Sequence, residues 1–535
     1  MKSLTVSLIV LTAAMTCGLF PAAVNAQTPD SSAGAIPGAQ SAQITPVITN
    51  KSVFKTAAPP SAAQLKAAEA HMERIRQAWA ARKEGPPGTL PPSPDAPPKP
   101  GSQTSPGPNA NLPGTFTVFR NSIAGVSPAG FSSNINEPSH AAAGRNTFMT
   151  WNWWAAVSID GGATWDGVNP FADFADFCCD QDVLYDRGRD MILWERLGIP
   201  DANGNNVLKI SRTNNGGATW CTYSITGATV GFGGNWYDYP KLATSNNYLY
   251  ITANMFNAAG SFQRMLLMRW PLDAMQSCSG VGFNFWTNTT GWSWEPVQGA
   301  RQVMYLGDTQ NSAGTFRVYS QPESNTTLSF IDRAIPAWTF TNGNAVCTTS
   351  NGTNPCARAD QRIVAAVVAN NTSGGLIENG VLTFFWNVAQ GGSFPKPYAE
   401  AASFRESDKA YIRRPFIWNS TYAWFYPSAA VNERGDIGGS IYLFGTALTP
   451  YVYAFIDDDY NGDPPGWEVV SIATSSGGSS GNNWGDYSMT RPYYPGGTAW
   501  GTSVYTKNAS NVSDPRFIIF GRSRDQRNIL RWWNQ

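Results

Sequence analysis

Two stretches of the chain repeat one another: Ser158-Ile159-Asp160-Gly161-Gly162-Ala163-Thr164-Trp165 and, 55 residues later, Thr213-Asn214-Asn215-Gly216-Gly217-Ala218-Thr219-Trp220. Each reads as a tight β-hairpin turn. The Asp or Asn accepts hydrogen bonds from its own turn, the glycines take positive φ, and the tryptophan folds back beneath the loop. A repeat of this period spans one supersecondary unit, and four short antiparallel strands fill it better than a helical pair. Composition agrees, because 13% aromatic and only 14% charged residues, with 51 Gly and 21 Trp, describe a turn-rich, sheet-packed protein. Formal net charge is zero and no long basic run appears. Nucleic acid and anionic membrane are therefore not expected partners.

The Ser-x-Asp-x-Gly-x-Thr-Trp pattern resembles the Asp box of the BNR-repeat β-propellers, whose best-known members are sialidases. The resemblance implies an all-β propeller of four-stranded antiparallel blades over residues 114–535. It leaves the chemistry open, because in that family the box is a structural turn away from the substrate. Seven segments align as starts of inner strands: Glu137-Pro138-Ser139-His140, Asp180-Gln181-Asp182-Val183, Tyr239-Pro240-Lys241-Leu242, Glu295-Pro296-Val297-Gln298, Asp360-Gln361-Arg362-Ile363, Tyr426-Pro427-Ser428-Ala429 and Asp486-Tyr487-Ser488-Met489. Seven blades are expected, with six as the alternative. A strand near Thr115 to Arg120 is expected to complete the last blade and remove the open edge.

The first residues of these segments, Glu137, Asp180, Tyr239, Glu295, Asp360, Tyr426 and Asp486, should then surround the axis at the mouth of the central channel. Five carboxylates at close quarters raise one another's pKa unless cations neutralise them. The resemblance implies a tyrosine nucleophile paired with Glu, with an Asp as acid. The nearest equivalents are Tyr239 or Tyr426, Glu295 or Glu137, and Asp180 or Asp360. A non-catalytic alternative has the ring and Trp236, Trp294 and Trp484 holding a sugar, and a third has the ring only capping strand ends. The family's arginine triad is not matched. Phe119-Arg120-Asn121-Ser122 lacks the Ile-Pro of the Arg-Ile-Pro motif, Arg333-Ala334-Ile335-Pro336 has an insertion, and the spacing of Arg362, Arg413, Arg414 and Arg491 identifies no set. His140, the single histidine of the propeller region, is a candidate base or acid for a lyase-like reaction, although a lone histidine is more often structural.

Asp457-Asp458-Asp459-Tyr460-Asn461-Gly462-Asp463, followed by Glu468, matches the spacing of a calcium loop. Asp457, Asp459, Asn461, Asp463 and Glu468 are the expected ligands of a structural Ca²⁺, and a solvated acidic hairpin tip is the competing reading. Six cysteines follow residue 26, and an even number in an exported chain points to disulfides. Cys347 with Cys356 is the first expectation. Cys178 and Cys179 are neighbours, so one of them is expected to reach Cys221 or Cys278.

Residues 1–26 read as a signal peptide, with Lys2, an apolar run and Val24-Asn25-Ala26, and no second hydrophobic span follows. A secreted or periplasmic protein without a transmembrane anchor is expected. Residues 27–113 read as a Pro/Ser/Ala-rich tether around one helix, 62–82, whose stripe of Leu65, Ala68, Met72, Ile75 and Trp79 is expected to dock on its own propeller. The expected task is engagement of an extracellular glycan at the channel mouth, by hydrolysis, lyase chemistry or binding alone. The alternative is a non-catalytic propeller that binds protein or scaffolds the cell envelope. Oligomeric state is not legible.

Overall fold

The computed structural model describes residues 32–51, 114–124, 136–309, 314–339, 341–369, 380–461, 467–482, 484–494 and 496–533, with individual positions between 54 and 74. The expected signal segment, 1–26, and the Pro-rich run 86–113 lie outside them. Seven antiparallel sheets follow in chain order as the blades of a propeller. Blade 1 spans 139–168, blade 2 177–226, blade 3 235–288, blade 4 295–334, blade 5 363–417, blade 6 423–474 and blade 7 489–522. Strand Phe116–Ile123 pairs antiparallel with Ser513–Arg522, so the start of the propeller completes its last blade and closes the ring as expected.

The blades adhere through side chains that alternate out of each sheet. Between blades 1 and 2, Phe148, Trp194 and Trp220 pack with ring centroids 5.1–5.3 Å apart. Each such buried aromatic contributes roughly 1.5–3 kcal/mol relative to exposure. The inner strands are almost wholly buried, as in Phe177–Asp186 and Asn235–Thr244.

The N-terminal region departs from the expected tether. Strands β1 (Ala33–Ile36), β2 (Gln40–Ile44) and β3 (Val47–Asn50) each add a fifth strand to the outer edge of a blade. They pair with Leu328–Ala334 of blade 4, Val281–Asn288 of blade 3 and Thr219–Thr226 of blade 2, in that order. The chain thus runs around the rim against the blade order. An outer-edge strand is held by backbone hydrogen bonds and faces solvent with most side chains, so it needs no hydrophobic alternation and leaves little pattern in sequence. The described positions between 62 and 74 are helical, while residues 75–82 and the stripe residues Leu65, Ala68, Met72, Ile75 and Trp79 lie outside the described residues.

The two repeats form equivalent turns between the third and fourth strands of blades 1 and 2. Asp160 accepts from the Ala163 and Thr164 N–H groups at 2.9 Å, from Thr164 Oγ1 at 2.6 Å and from Ser158 Oγ at 2.8 Å. Gly161 and Gly162 have φ of 70° and 84°. Asn215 accepts from Thr213 Oγ1 at 2.9 Å and Thr219 N at 3.0 Å. The four bonds hold the Asp160 carboxyl at a pKa of about 2 despite some desolvation. Asp160→Ala is expected to lower stability by about 1–3 kcal/mol, because charge-assisted bonds are lost and turn donors are left without their acceptor. Asn215→Ala should cost less, since its bonds are neutral. Urea midpoints of the two variants check the order.

Candidate functional site

Alternation along an inner strand returns the third residue of each aligned segment to the face of the first. The channel therefore carries two layers. The first is the expected ring of Glu137, Asp180, Tyr239, Glu295, Asp360, Tyr426 and Asp486. The second includes Asp182 and Lys241, which the two-residue period marks but no expectation named, and Arg362, considered above only as a member of an arginine set. Glu195 and Arg491 join from neighbouring positions. All but Asp486 are buried. The Asp486 side chain is 35% exposed and is the ring's contact with solvent.

Ion pairs tie the layers together. The Arg362 guanidinium donates to both oxygens of Asp360, at 2.8 and 3.1 Å, and to Asp486 at 3.1 Å, while lying 4.4 Å from the centroid of the Tyr239 ring. Arg491 donates to Asp182 at 2.9 Å, and Asp182 also accepts from Ser139 Oγ at 2.7 Å and Leu242 N at 2.8 Å. Glu137 accepts from Asn152 Nδ2 and from the Asp486 N–H, both at 2.8 Å. The Lys241 ammonium lies 2.9 Å from the Tyr487 ring centroid and 4.4 Å from that of Tyr239, with no hydrogen-bond acceptor among the described residues.

Seven carboxylates (Glu137, Asp180, Asp182, Glu195, Glu295, Asp360, Asp486) thus share the axis with three cations (Lys241, Arg362, Arg491). The imbalance bears on four of them, Asp180, Glu195, Glu295 and Asp486, whose proton affinity burial raises. Burial, then repulsion from Glu137, Asp238 and Glu195, raises Asp180 well above the carboxylate range. Burial and Asp182 do the same to Glu195. Burial outweighs Lys241 to push Glu295 up to about 8, and outweighs Arg362 to push Asp486 up to about 6. Burial lowers the Lys241 pKa against the pull of Glu295 and Asp182. Protonated carboxyls beside charged ones at one locus are what acid–base chemistry needs.

The phenols of the ring are held in strain. Tyr239 and Tyr426 have φ of 52° and 57°, a left-handed conformation unfavourable for a bulky side chain, and each is followed by proline. The pairing of blades 3 and 6 shifts register at these positions, so each tyrosine sits in a bulge that re-aims it. Tyr426 donates from its hydroxyl to Pro355 O at 3.0 Å. Such strain persists only where surrounding structure imposes it, and it concentrates at functional sites.

Other expected site residues fall elsewhere. His140 lies between blades 1 and 7, with Nδ1 3.1 Å from Ser503 Oγ and its ring edge-on to Phe517 at 5.0 Å. Burial lowers its pKa to about 3, so it stays neutral and does not join the ring. The tryptophans proposed as sugar platforms are core residues: Trp236 stacks on Phe256, Trp294 packs on Tyr319, and Trp484 stacks on Tyr505. Of the arginines, only Arg362 and Arg491 face the channel. Arg120 lies over Trp533, Arg333 donates to the Lys409 and Asp408 carbonyls, Arg413 pairs with Asp457, and Arg414 with Glu400.

The acidic segment 457–468 is built around guanidinium groups. Asp457 pairs with Arg413, Asp459 with Arg524 at 2.9 Å, and Asp458 with Arg522 at 2.7 Å. Arg522 also binds Asn461 Oδ1 at 2.9 Å and Glu468. Among the described residues, the carboxylates here that gather within 4.8 Å of one another are Asp436, Asp458 and Asp459, a set that omits Asp457 and Glu468. The described carboxylates of this segment are paired with guanidinium groups of neighbouring elements; Asp463 lies outside the described residues. Cys347 bonds to Cys356 as expected. Cys178 bonds to Cys179, and Cys221 to Cys278. This corrects the expectation that one of the adjacent pair would reach Cys221 or Cys278. Folding brings Cys221 and Cys278 within 5.9 Å, Cα to Cα, and they satisfy one another.

Fold and site together define a seven-bladed propeller with a closed, ionisable axial cluster. No family model matches the chain, and no curated protein matches it. Solved structures similar to it are propellers. An α-L-arabinanase of Penicillium chrysogenum in complex with arabinobiose aligns over 75% of this chain and 98% of its own, at 10% identity and a TM-score of 0.38. An α-L-arabinofuranosidase of Fusarium graminearum aligns over 75% and 97%, again at 10% and 0.38. The NanB sialidase of Streptococcus pneumoniae aligns over 66% and 69%, at 10% and 0.38. These likenesses concern the architecture and leave the chemistry to the residues of the site. Among the described residues no helix is long and apolar enough to cross a membrane.

Proposed function

We propose that this protein is an exported propeller that engages a glycan at the mouth of its axial channel and carries the acid–base groups for cleaving a glycosidic bond. The observation that supports this most directly is the pairing, on one axis, of proton-holding carboxyls (Asp180, Glu295) with arginine-bound carboxylates (Asp360, Asp486) beside two strained tyrosines. Asp180 or Glu295 would protonate the leaving oxygen, while the ionised partners and a phenol stabilise the oxocarbenium-like centre. The three disulfides suit an oxidising compartment. No calcium is assigned a role in this chemistry.

The burial of the ring favours a second reading, in which the network holds seven blades together and the propeller binds a partner without catalysis. Screening the protein against fluorogenic glycosides and acidic polysaccharides, beside an Asp180→Asn/Glu295→Gln variant, separates the two. Turnover that falls at least about 100-fold in the variant is expected, as removal of a general acid costs 10²–10⁴-fold. Turnover or binding unchanged in the variant would sink the axial site.

A further inference from the structure

Asp180 is buried, and its carboxyl receives no hydrogen bond among the described residues. Other carboxylates of the ring are held by donors, as Glu137 is by Asn152 and the Asp486 N–H, and Asp360 by Arg362. The direction of the Asp180 side chain is therefore set by the backbone on either side of it. After it, the Gln181 amide donates to Trp151 O at 2.6 Å and Trp154 O at 3.1 Å and accepts from Trp194 Nε1 at 2.8 Å. Before it stand Cys178 and Cys179, bonded to one another. Cys179 has φ of 77°, a left-handed conformation disfavoured for a residue with a Cβ. The pairing of blade 2 shifts register here, between Phe177 opposite Gly198 and Gln181 opposite Arg196. Blades 3 and 6 make comparable bulges with Tyr239-Pro240 and Tyr426-Pro427, where the proline restricts the tyrosine before it. Asp180 is followed by Gln181, so blade 2 lacks that restriction. The bond between neighbours replaces it, closing a small covalent ring through the intervening peptide and holding the torsions on both sides of it.

We propose that the Cys178–Cys179 bond is a backbone clamp that aims Asp180 at the axis, which makes the two cysteines positioning residues; the inference rests on the reading of Asp180 as an acid of the site. Two other roles for the bond are weaker. In the chain-entropy account a disulfide stabilises a fold by closing a loop, and its effect grows with loop length. Cys221–Cys278 joins residues 57 apart, whereas this bond joins neighbours and closes almost nothing. A redox switch needs a sulfur that an attacking thiolate can reach. Cys178 and Cys179 are 0% and 2% exposed, packed in one cluster with Trp153, Phe171, Phe174 and Phe177. The bond is thus shielded in the folded protein and acts on what lies next to it in the chain.

Two variants of the full chain test this. Cys178→Ala/Cys179→Ala removes the bond, and Cys178→Ala/Cys179→Gly removes it while letting a positive φ form without steric cost. The wild type and each double variant are compared with their Asp180→Asn counterparts by urea midpoint as pH is raised. Burial and the carboxylates of Glu137, Asp238 and Glu195 raise the proton affinity of Asp180 against Lys241, and the Tyr487 phenol also faces it. The native state then holds a proton that the unfolded state releases above the ordinary carboxylate pKa, so the wild type should lose stability relative to Asp180→Asn as pH rises. Cys178→Ala/Cys179→Ala should lose at least half of that pH-dependent difference, because the carboxyl turns away from these neighbours. Cys178→Ala/Cys179→Gly should regain most of it. Glycine fills less space than alanine, so the recovery reports backbone conformation and not packing. With a glycoside that the wild type cleaves, kcat should fall at least tenfold in Cys178→Ala/Cys179→Ala with KM little changed. A pH-dependent difference that both double variants leave unchanged, or that both lose equally, overturns the clamp. So does alkylation of both cysteines in wild-type protein denatured without reductant. A difference that collapses and recovers as expected in a protein that cleaves no glycoside upholds the clamp and removes only the functional reading.

Discussion

Arg522→Ala is expected to lower the stability of the propeller by about 3–5 kcal/mol, the usual result of stripping the partner from a buried charge. The side chain is 1% exposed and forms the hub between blades 6 and 7. It donates to both oxygens of Asp458, each at 2.7 Å, to Asn461 Oδ1, to Glu468 and to the Gly114 carbonyl at 2.8 Å. Without it Asp458, whose side chain is fully buried, keeps a charge with no counterion, and the entry of the closing strand Phe116–Ile123 loses its tie. Arg522→Lys should recover only part of the loss, because an ammonium cannot reproduce the fork that grips Asp458. Thermal midpoints of the three proteins measure this. The same experiment tests the acidic segment for calcium. Millimolar Ca²⁺ or chelator should leave the wild-type midpoint unchanged, since guanidinium groups already neutralise the carboxylates. A rise of several degrees on adding Ca²⁺ would support the calcium loop.

The second large effect is on pH. Glu295 in the folded protein holds its proton to about pH 8, against an ordinary value of 4.5. Between those limits the native state binds more protons than the unfolded state, so stability must fall as pH rises. The contribution is complete below about pH 4.5 and is lost through pH 8, with a limiting slope of about 1.4 kcal/mol per pH unit for one proton. Asp486, raised from 3.8 to about 6, adds a smaller loss in the window between those values. Glu295→Gln keeps the shape of the protonated acid and cannot ionise. The variant should therefore match the wild type near pH 5 and exceed it at pH 8. Parallel midpoint–pH profiles would mean that Glu295 is ionised in the native state and is not the acid proposed here.

The gap between reading the sequence and seeing the structure follows a physical line. Turns are local, so the hydrogen bonds around Asp160 and Asn215 were legible from their own residues. The seven inner-strand segments were legible because a propeller repeats one environment seven times, but their ends were not: Asp180, Tyr239 and Tyr426 lie inside their strands, Glu137, Asp360 and Asp486 precede theirs, and only Glu295 begins one. Partners were not legible. His140 and Trp236, Trp294 and Trp484 have the chemistry of a site, but packing between blades consumes them. The acidic segment 457–468 has calcium spacing, yet its countercharges are Arg413, Arg522 and Arg524, two of them more than fifty residues away in sequence.

The sequence by itself determined that this chain is a ring of antiparallel blades, which seven segments carry their inner strands, and that carboxylates and phenols crowd the axis. Each of those properties is written within a few consecutive residues. Only the tertiary structure decided which carboxyls keep their protons, that Lys241, Arg362 and Arg491 stand among them, and that a Ser/Ala/Gln-rich leader forms three rim strands. Ionisation depends on burial and on charges brought together from different blades, and an edge strand pairs through its backbone, which every residue except proline supplies alike.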